Sequence, residues 1–406
     1  MSQKLTNRQT SHSGSRAVYV PFVERGKALL ERNGLLGVII PNKFVTADYG
    51  TAFRGLIAND RLLRHFVDFE SELVFSGVST YCCLTFLGCR SSESVTVARG
   101  TLQPPVARDL FSLPSSSLGI GPWSLRPAVT LNHVNVVPLK SACKAIFQGL
   151  ITGGDSLLIG TRNGAFVHFT EDHVRFEPGI FRPLLKGSDV HRFTLDFSEH
   201  YVIYPYTVID DRTELMSEAE IATQYPAAYE YLCRHRNVLE MRGSESMVYP
   251  AWYAHWCPRT IDRFSSPKIV TQVLASRASF ALDLQGNYAF VGGGNAGVYG
   301  IIPNAPDEDR LWLLMAILNS NIFDRQVQAR SSRFRGNYFS YARRFIEDVT
   351  IPSVTGIDLS SDDVRQVVEL AKRRTASVNG QDIVKLESEL DAAVDEMYHY
   401  YPGTHK

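Results

Sequence analysis

The sequence predicts an α/β fold: the distal half of a doubly wound sheet, followed by an α+β domain and closing C-terminal helices. Three observations carry that expectation. A helix-then-strand unit occupies Tyr19–Phe44, short apolar runs separated by polar turns follow it up to residue 90, and from Ala142 onward β-rich runs alternate with Gly, Pro and Asp turns.

Taken in order, the first helix spans Tyr19–Arg32, with Phe22, Val23, Leu29 and Leu30 as its apolar positions and Gly34 where a C′ glycine would stop it. Gly37–Ile40 is a short continuous apolar run and reads as a parallel strand buried on both faces. A second helix over Ala47–Asn59 leads to a strand over Leu62–Phe69, and the loop Phe75–Thr80 leads to a third strand at Leu84–Leu87. Strands and helices in this alternation make one half of a doubly wound sheet.

The expected organisation is 1–90 for this part, 91–141 for a linker rich in Pro, Ser and Leu, 142–355 for an α+β domain and 356–406 for a helical close. Within the second domain, strands are expected at Ser156–Gly160, Ala165–Phe169, Tyr201–Tyr206, Lys268–Val273, Tyr288–Val291 and Val298–Ile302, and helices at Ala227–Arg242 and Leu311–Arg325. Two amphipathic helices, Asp362–Ser377 and Gln381–Tyr398, flank Asn379-Gly380.

A length of 406 residues exceeds one compact core and fits two domains. Acidic and basic residues balance at 42 each, so any contact with nucleic acid must come from local patches and not from net charge. No apolar run approaches the roughly 20 residues that span a bilayer, and the first fifteen residues are polar, so a cytoplasmic protein is expected. The six cysteines form no Cys-x-x-Cys pair, and neither a zinc site nor a disulfide is expected.

Phe75 lies beyond a strand end, where ligands bind in open α/β sheets and where an aromatic can stack on a planar group; its alternative is a core position in a hairpin. Segment Arg325–Arg344 holds six arginines and no acid, interleaved with Phe334, Tyr338, Phe339 and Tyr341. Arginines neutralise phosphates and read guanine edges, while aromatics and amides stack or position. This pattern marks Arg330, Arg333, Arg335, Asn337, Tyr338 and Tyr341 as candidate DNA contacts, against the alternative of a solvated basic loop packed on the acidic C-terminal helices. Lys186, Asp189, His191 and Arg192 form a second polar cluster, open to a DNA-facing or a structural ion-pair role. Gly292–Gly300 runs into another apolar stretch rather than a helix, and so reads as a turn and not a dinucleotide loop. Neither paired carboxylates with a lysine nor histidines at metal-ligand spacing occur.

In order along the chain, several strings resemble the N6-adenine DNA methyltransferases fused to a TaqI-like specificity domain, including type IIG restriction-modification enzymes. They are Gly34–Phe44 with its Pro-Asn-Lys-Phe, Leu62–Glu70, Val74–Leu87, Ile146–Asp155, Phe181–Phe193, Tyr225–Leu232, Trp252-Tyr253, Pro267–Val270, Leu314–Phe323 and Leu386–Tyr398. The resemblance implies a Rossmann-like methyltransferase sheet followed by a DNA target-recognition domain. It gives Phe75 the role of stacking on a flipped adenine and sets Lys186 and Arg192 on the DNA-facing side. Double-stranded DNA is the implied partner and S-adenosylmethionine the implied methyl donor. The family's Phe-x-Gly-x-Gly and Asn-Pro-Pro-Tyr turns do not occur before Tyr19, so no cofactor-binding residue is expected in this chain, and a missing or separate N-terminal methyltransferase half is the expected complement. The rival expectation is a non-catalytic DNA-specificity subunit serving a separate methyltransferase or nuclease.

Overall fold

The computed structural model describes residues 18–70, 72–75, 77–78, 80–102, 105–125, 136–210, 212–243, 248–331, 333–334, 338–354 and 357–399. They fall into two compact units, Met1–Thr130 with Gln328–Ser340, and Leu131–Val327 with Tyr341–Lys406.

The first unit contains helices α1 (Tyr19–Ala28) and α2 (Thr51–Ala58) and strands β1 (Leu35–Pro41), β2 (Leu63–Asp68), β3 (Cys82–Gly88), β4 (Ser94–Leu102) and β5 (Pro105–Pro114). The strand order is β1-β3-β2-β4-β5. Both β1 and β2 run antiparallel to β3, β2 is parallel to β4, and β4 and β5 form an antiparallel pair.

Three expectations are corrected here. The Gly37–Ile40 run is not a parallel strand buried on both faces. It belongs to an edge strand paired antiparallel from Leu35↔Gly88 to Pro41↔Cys82, with Ile40 turned inward and Leu35 and Ile39 exposed. An edge strand that is apolar on both faces has the same local text as a buried one, so periodicity could not separate them. Within the expected linker 91–141, β4 and β5 are not linker but extend the same sheet. Pro105 and Pro114 bound the edge strand β5, where a missing N–H disturbs little of the ladder. Finally, α1 stops at Ala28, four residues early, with the Leu29 N–H bonded back to the carbonyls of Gly26 and Lys27.

Val20 and Val23 of α1 and Phe53 and Ile57 of α2 pack with Ile40, Phe66, Leu87 and Val97 of the sheet. Phe44 joins them edge-on to Phe53 (4.9 Å) and Trp123 (5.9 Å). Buried Arg54 donates to the carbonyls of Phe44 (2.6 Å), Ala47 (2.8 Å) and Ile120 (2.9 Å), and thereby fastens the turn that follows β1.

In the second unit, a four-stranded antiparallel sheet runs in the order Phe280–Asp283, Lys268–Gln272, Val298–Pro303, Cys143–Gln148. A six-stranded sheet takes in Ile159–Asn163, Phe166–His168, His173–Arg175, Phe181–Leu185, His200–Ile203 and Ala289–Phe290. Residues 156–160 are not one strand: a single helical turn, Asp155–Leu158, precedes the strand. The expected helix Ala227–Arg242 divides at His235 into Pro226–Arg234 and Arg236–Glu240. The helix expected over Leu311–Arg325 becomes Glu308–Leu318 and Asn321–Arg330, broken where the Asn319 amide bonds both the N–H and the carbonyl of Phe280. The closing helices Asp362–Ala376 and Gly380–His399 pack on each other and on Glu308–Leu318, so 356–406 is part of this unit and not a separate segment.

Candidate functional site

The carboxyl ends of β1 and β2 carry polar groups that meet. Pro41 ends β1, and the Asn42 N–H donates to the Tyr81 carbonyl (3.0 Å) at the start of β3. The Asn42 side-chain amide donates to Asp68 Oδ1 (3.0 Å) and to the Glu70 carbonyl (3.4 Å), while the Glu70 N–H donates to the same Asp68 oxygen (2.9 Å). Arg99 pairs with Glu70 at 3.2 Å, and Glu72 accepts from the Leu102 N–H at 3.1 Å. The root of the loop from Phe69 to Tyr81 is thus tied to three strands.

Its outer part is different. Leu73, Phe75 and Val78 are exposed, Phe75 by 48 %. The alternative of a hairpin-core Phe75 therefore does not hold; the ring stands on an anchored loop with a face open to solvent. Sequence reading picked out Phe75 but missed the anchor. The signal was present as polar Asn42 and Asp68, each at the end of an apolar run.

Residues Gln328–Ser340 belong to the first unit. Arg333–Phe334 and Tyr338–Ser340 form a small antiparallel hairpin, closed by the Ser331 hydroxyl, which donates to the Ser340 carbonyl (2.9 Å) and accepts from its N–H (2.7 Å). Tyr338 is 43 % exposed, Arg330 is exposed at the end of its helix, and Arg335 and Asn337 lie outside the described residues.

Two predicted DNA contacts are placed in the interior instead. Tyr341 is fully buried, edge-on to Phe280, with its hydroxyl bonded to the Asp324 carboxylate. Arg192 is largely buried and donates to Glu387 (2.9 Å) and the Ala278 carbonyl (3.1 Å). Glu387 also accepts from Arg374 (2.8 Å) and Arg277. Burial alone raises the Glu387 carboxyl, but Arg192, Arg374 and Arg277 more than offset that and hold it below the usual carboxylate range. Burial in turn lowers the Arg192 guanidinium. These groups form an ion network, and Arg192 is committed to it.

Lys186 is half-buried and makes no ion pair among the described residues. Its neighbour Asp189 is buried and takes up the Lys186 N–H (2.8 Å) and the Ser198 hydroxyl (2.6 Å), which makes it a structural turn residue. His200 is lowered by burial and then by the charge of Lys186.

The glycine-rich turn at 292–297 leads into the strand Val298–Pro303 and not into a helix. A Cβ on Gly292 would meet the Gly149 carbonyl at 2.1 Å, and Gly293 and Gly294 adopt positive φ to close the turn.

Comparison with known proteins shows what the chain is similar to. The Eco57I restriction-modification methylase family matches residues 1–75, and the TaqI-like C-terminal specificity domain matches residues 182–351. Among curated proteins, the chain is 23 % identical over 384 residues to the type II restriction enzyme and methyltransferase RM.Eco57I of Escherichia coli, covering 86 % of this chain and 38 % of that protein. It is 24 % identical over 389 residues to the type II methyltransferase M.PaeR7I of Pseudomonas aeruginosa, covering 91 % of this chain and 64 % of that one. Among solved structures, the type IIL restriction-modification enzyme MmeI, determined in complex with DNA, superposes with a TM-score of 0.63 at 13 % identity, over 98 % of this chain and 53 % of its own.

The chain is thus similar to restriction-modification methylases. More particularly, residues 1–75 match the Eco57I methylase family model and residues 182–351 match the TaqI-like specificity domain model. It spans 38 % and 64 % of the lengths of the two curated relatives. No helix among the described residues is long and apolar enough to cross a membrane.

Proposed function

We propose that this chain supplies the base-stacking loop and the target-recognition part of a site-specific adenine-N6 DNA methyltransferase of a restriction-modification system. The observation that carries the reading is Phe75, an exposed ring on a loop whose root is held by Asn42, Asp68 and Glu72. Adenine N6 is inaccessible inside a duplex, so the base must leave the stack and be held outside it. An aromatic ring on a positioned loop provides that hold at about 1–3 kcal/mol per stacked base.

Duplex DNA is the partner in this reading. The hairpin segment with Arg330, Arg333, Arg335, Asn337 and Tyr338 contacts phosphates and base edges, with Lys186 as a further contact; Arg192 and Tyr341 leave the set because they are buried. The methyl donor of such enzymes is S-adenosylmethionine. In this reading the donor site and the amine-gripping turn are supplied by a separate methylase half.

The test supplies the N-terminal methylase segment of a relative in trans, with labelled S-adenosylmethionine and duplex DNA, and identifies the methylated nucleoside by mass spectrometry. N6-methyladenine is expected. Phe75→Ala should slow transfer by about five- to a hundredfold, matching the stacking energy, while Phe75→Trp retains it. A methylated cytosine, no methylation at all, or an unchanged Phe75→Ala rate would sink the reading.

A further inference from the structure

A concave pocket of about 200 Å³ in the second unit is lined by four cations, Lys140, Lys144, Arg263 and Arg343, with Glu347 and Cys143 beside them. The cations come from separate parts of the chain. Lys140 lies in the turn Leu139–Ala142, Lys144 in the edge strand Cys143–Gln148, Arg263 in the short helix Ile261–Ser265 and Arg343 in the helix Arg343–Ile346. Folding therefore gathers positive charge that is dispersed in the sequence.

Two of the four are internally balanced: Lys140 pairs with Asp348 and Arg343 with Glu347, each at 2.7 Å. Lys144 and Arg263 make no ion pair among the described residues, although Arg263 lies 5.5 Å from the centre of the Phe147 ring, which restrains it. Both side chains belong to exposed residues. On a chain of zero formal net charge, the pocket concentrates two uncompensated cations in one concavity.

We infer that this pocket seats a phosphate group of the duplex DNA backbone. The inference rests on the DNA-binding reading above and adds a contact outside the 325–344 segment. A phosphodiester oxygen pair suits a guanidinium fork beside an ammonium point charge. The lining is polar and cationic, which suits a phosphate and not the face of a base, so the pocket holds position and leaves sequence reading to other residues.

The test measures duplex affinity of the full chain across a salt series, for the parent, Lys144→Ala/Arg263→Ala and, as a control, exposed Lys385→Ala on the last helix. The double variant should bind DNA more weakly regardless of sequence and show a shallower salt slope, by about 1 for each phosphate that is no longer neutralised. Lys385→Ala should match the parent, and unchanged thermal unfolding of the double variant would show that its fold is intact. A double variant with the parent's slope overturns the inference. If the parent chain binds no duplex, the DNA-binding reading fails on its own. The pocket is then judged by calorimetry with inorganic pyrophosphate: binding by the parent that the double variant abolishes supports a phosphate site, and no binding by the parent overturns it.

Discussion

Residues of one type take opposite roles in this protein according to what surrounds them. Phe44 and Phe53 build the first core, whereas Phe75 stands exposed on its loop. Tyr338 and Tyr341 are three residues apart, yet only Tyr341 is enclosed, with its hydroxyl on Asp324. Tyr341→Phe is therefore expected to cost stability and leave the proposed DNA affinity alone, which paired unfolding and binding titrations would check; the loss should be about 1.5–3 kcal/mol for a buried bond to a carboxylate. His255 shows how burial sets a pH response. It is fully enclosed, its Nε2 lies 2.8 Å from the Ile203 carbonyl, its Nδ1 has no partner, and burial pushes its pKa down to about 4. The folded chain thus holds it neutral while the unfolded chain protonates it near 6.5. Its share of stability is complete above that pH and is lost as pH falls from 6.5 towards 4. Denaturant midpoints measured over that interval should drop, and His255→Gln should flatten the drop.

Elements here depend on a few polar fasteners. The loop after β2 is held by the Asn42 amide on Asp68 and on the Glu70 carbonyl, and losing those bonds costs about 1 kcal/mol each. Asn42→Ala is expected to raise amide hydrogen exchange across 70–81 while β3 stays protected. Equal exchange in variant and parent would remove Asn42 from the anchor. The last helix is secured differently, by Glu387 among Arg192, Arg374 and Arg277. Removing the carboxylate leaves Arg192 and Arg374 buried without their ion-pair partner. Glu387→Ala should therefore destabilise by about 3–5 kcal/mol, read from denaturant unfolding, and adding Arg192→Met should recover part of it. Because the Glu387 carboxyl is held below its ordinary range, this contribution is present above pH 4.5 and fades only as acid protonates it.

At the scale of the whole molecule, charge balance of 42 against 42 would make the proposed DNA affinity a matter of local geometry. Sequence alone carried the alternation of helices and strands in the first ninety residues and the order of strings that resembles a methylase segment followed by a TaqI-like domain, and it singled out Phe75. Those features are local, carried by periodicity, turn chemistry and short strings. It took β4 and β5 for linker, because strand pairing is a long-range event that composition does not record: β4 meets β2 thirty residues away in a parallel pair. It also ranked Arg192 and Tyr341 with their neighbours in the text. Only tertiary structure decided that these two turn inward, that Asn42 reaches Asp68, and that Lys144 and Arg263, more than a hundred residues apart, share one pocket. The physical reason is the same in each case: burial and ion pairing depend on which side chains the fold brings within a few ångströms, and spacing along the chain does not specify that.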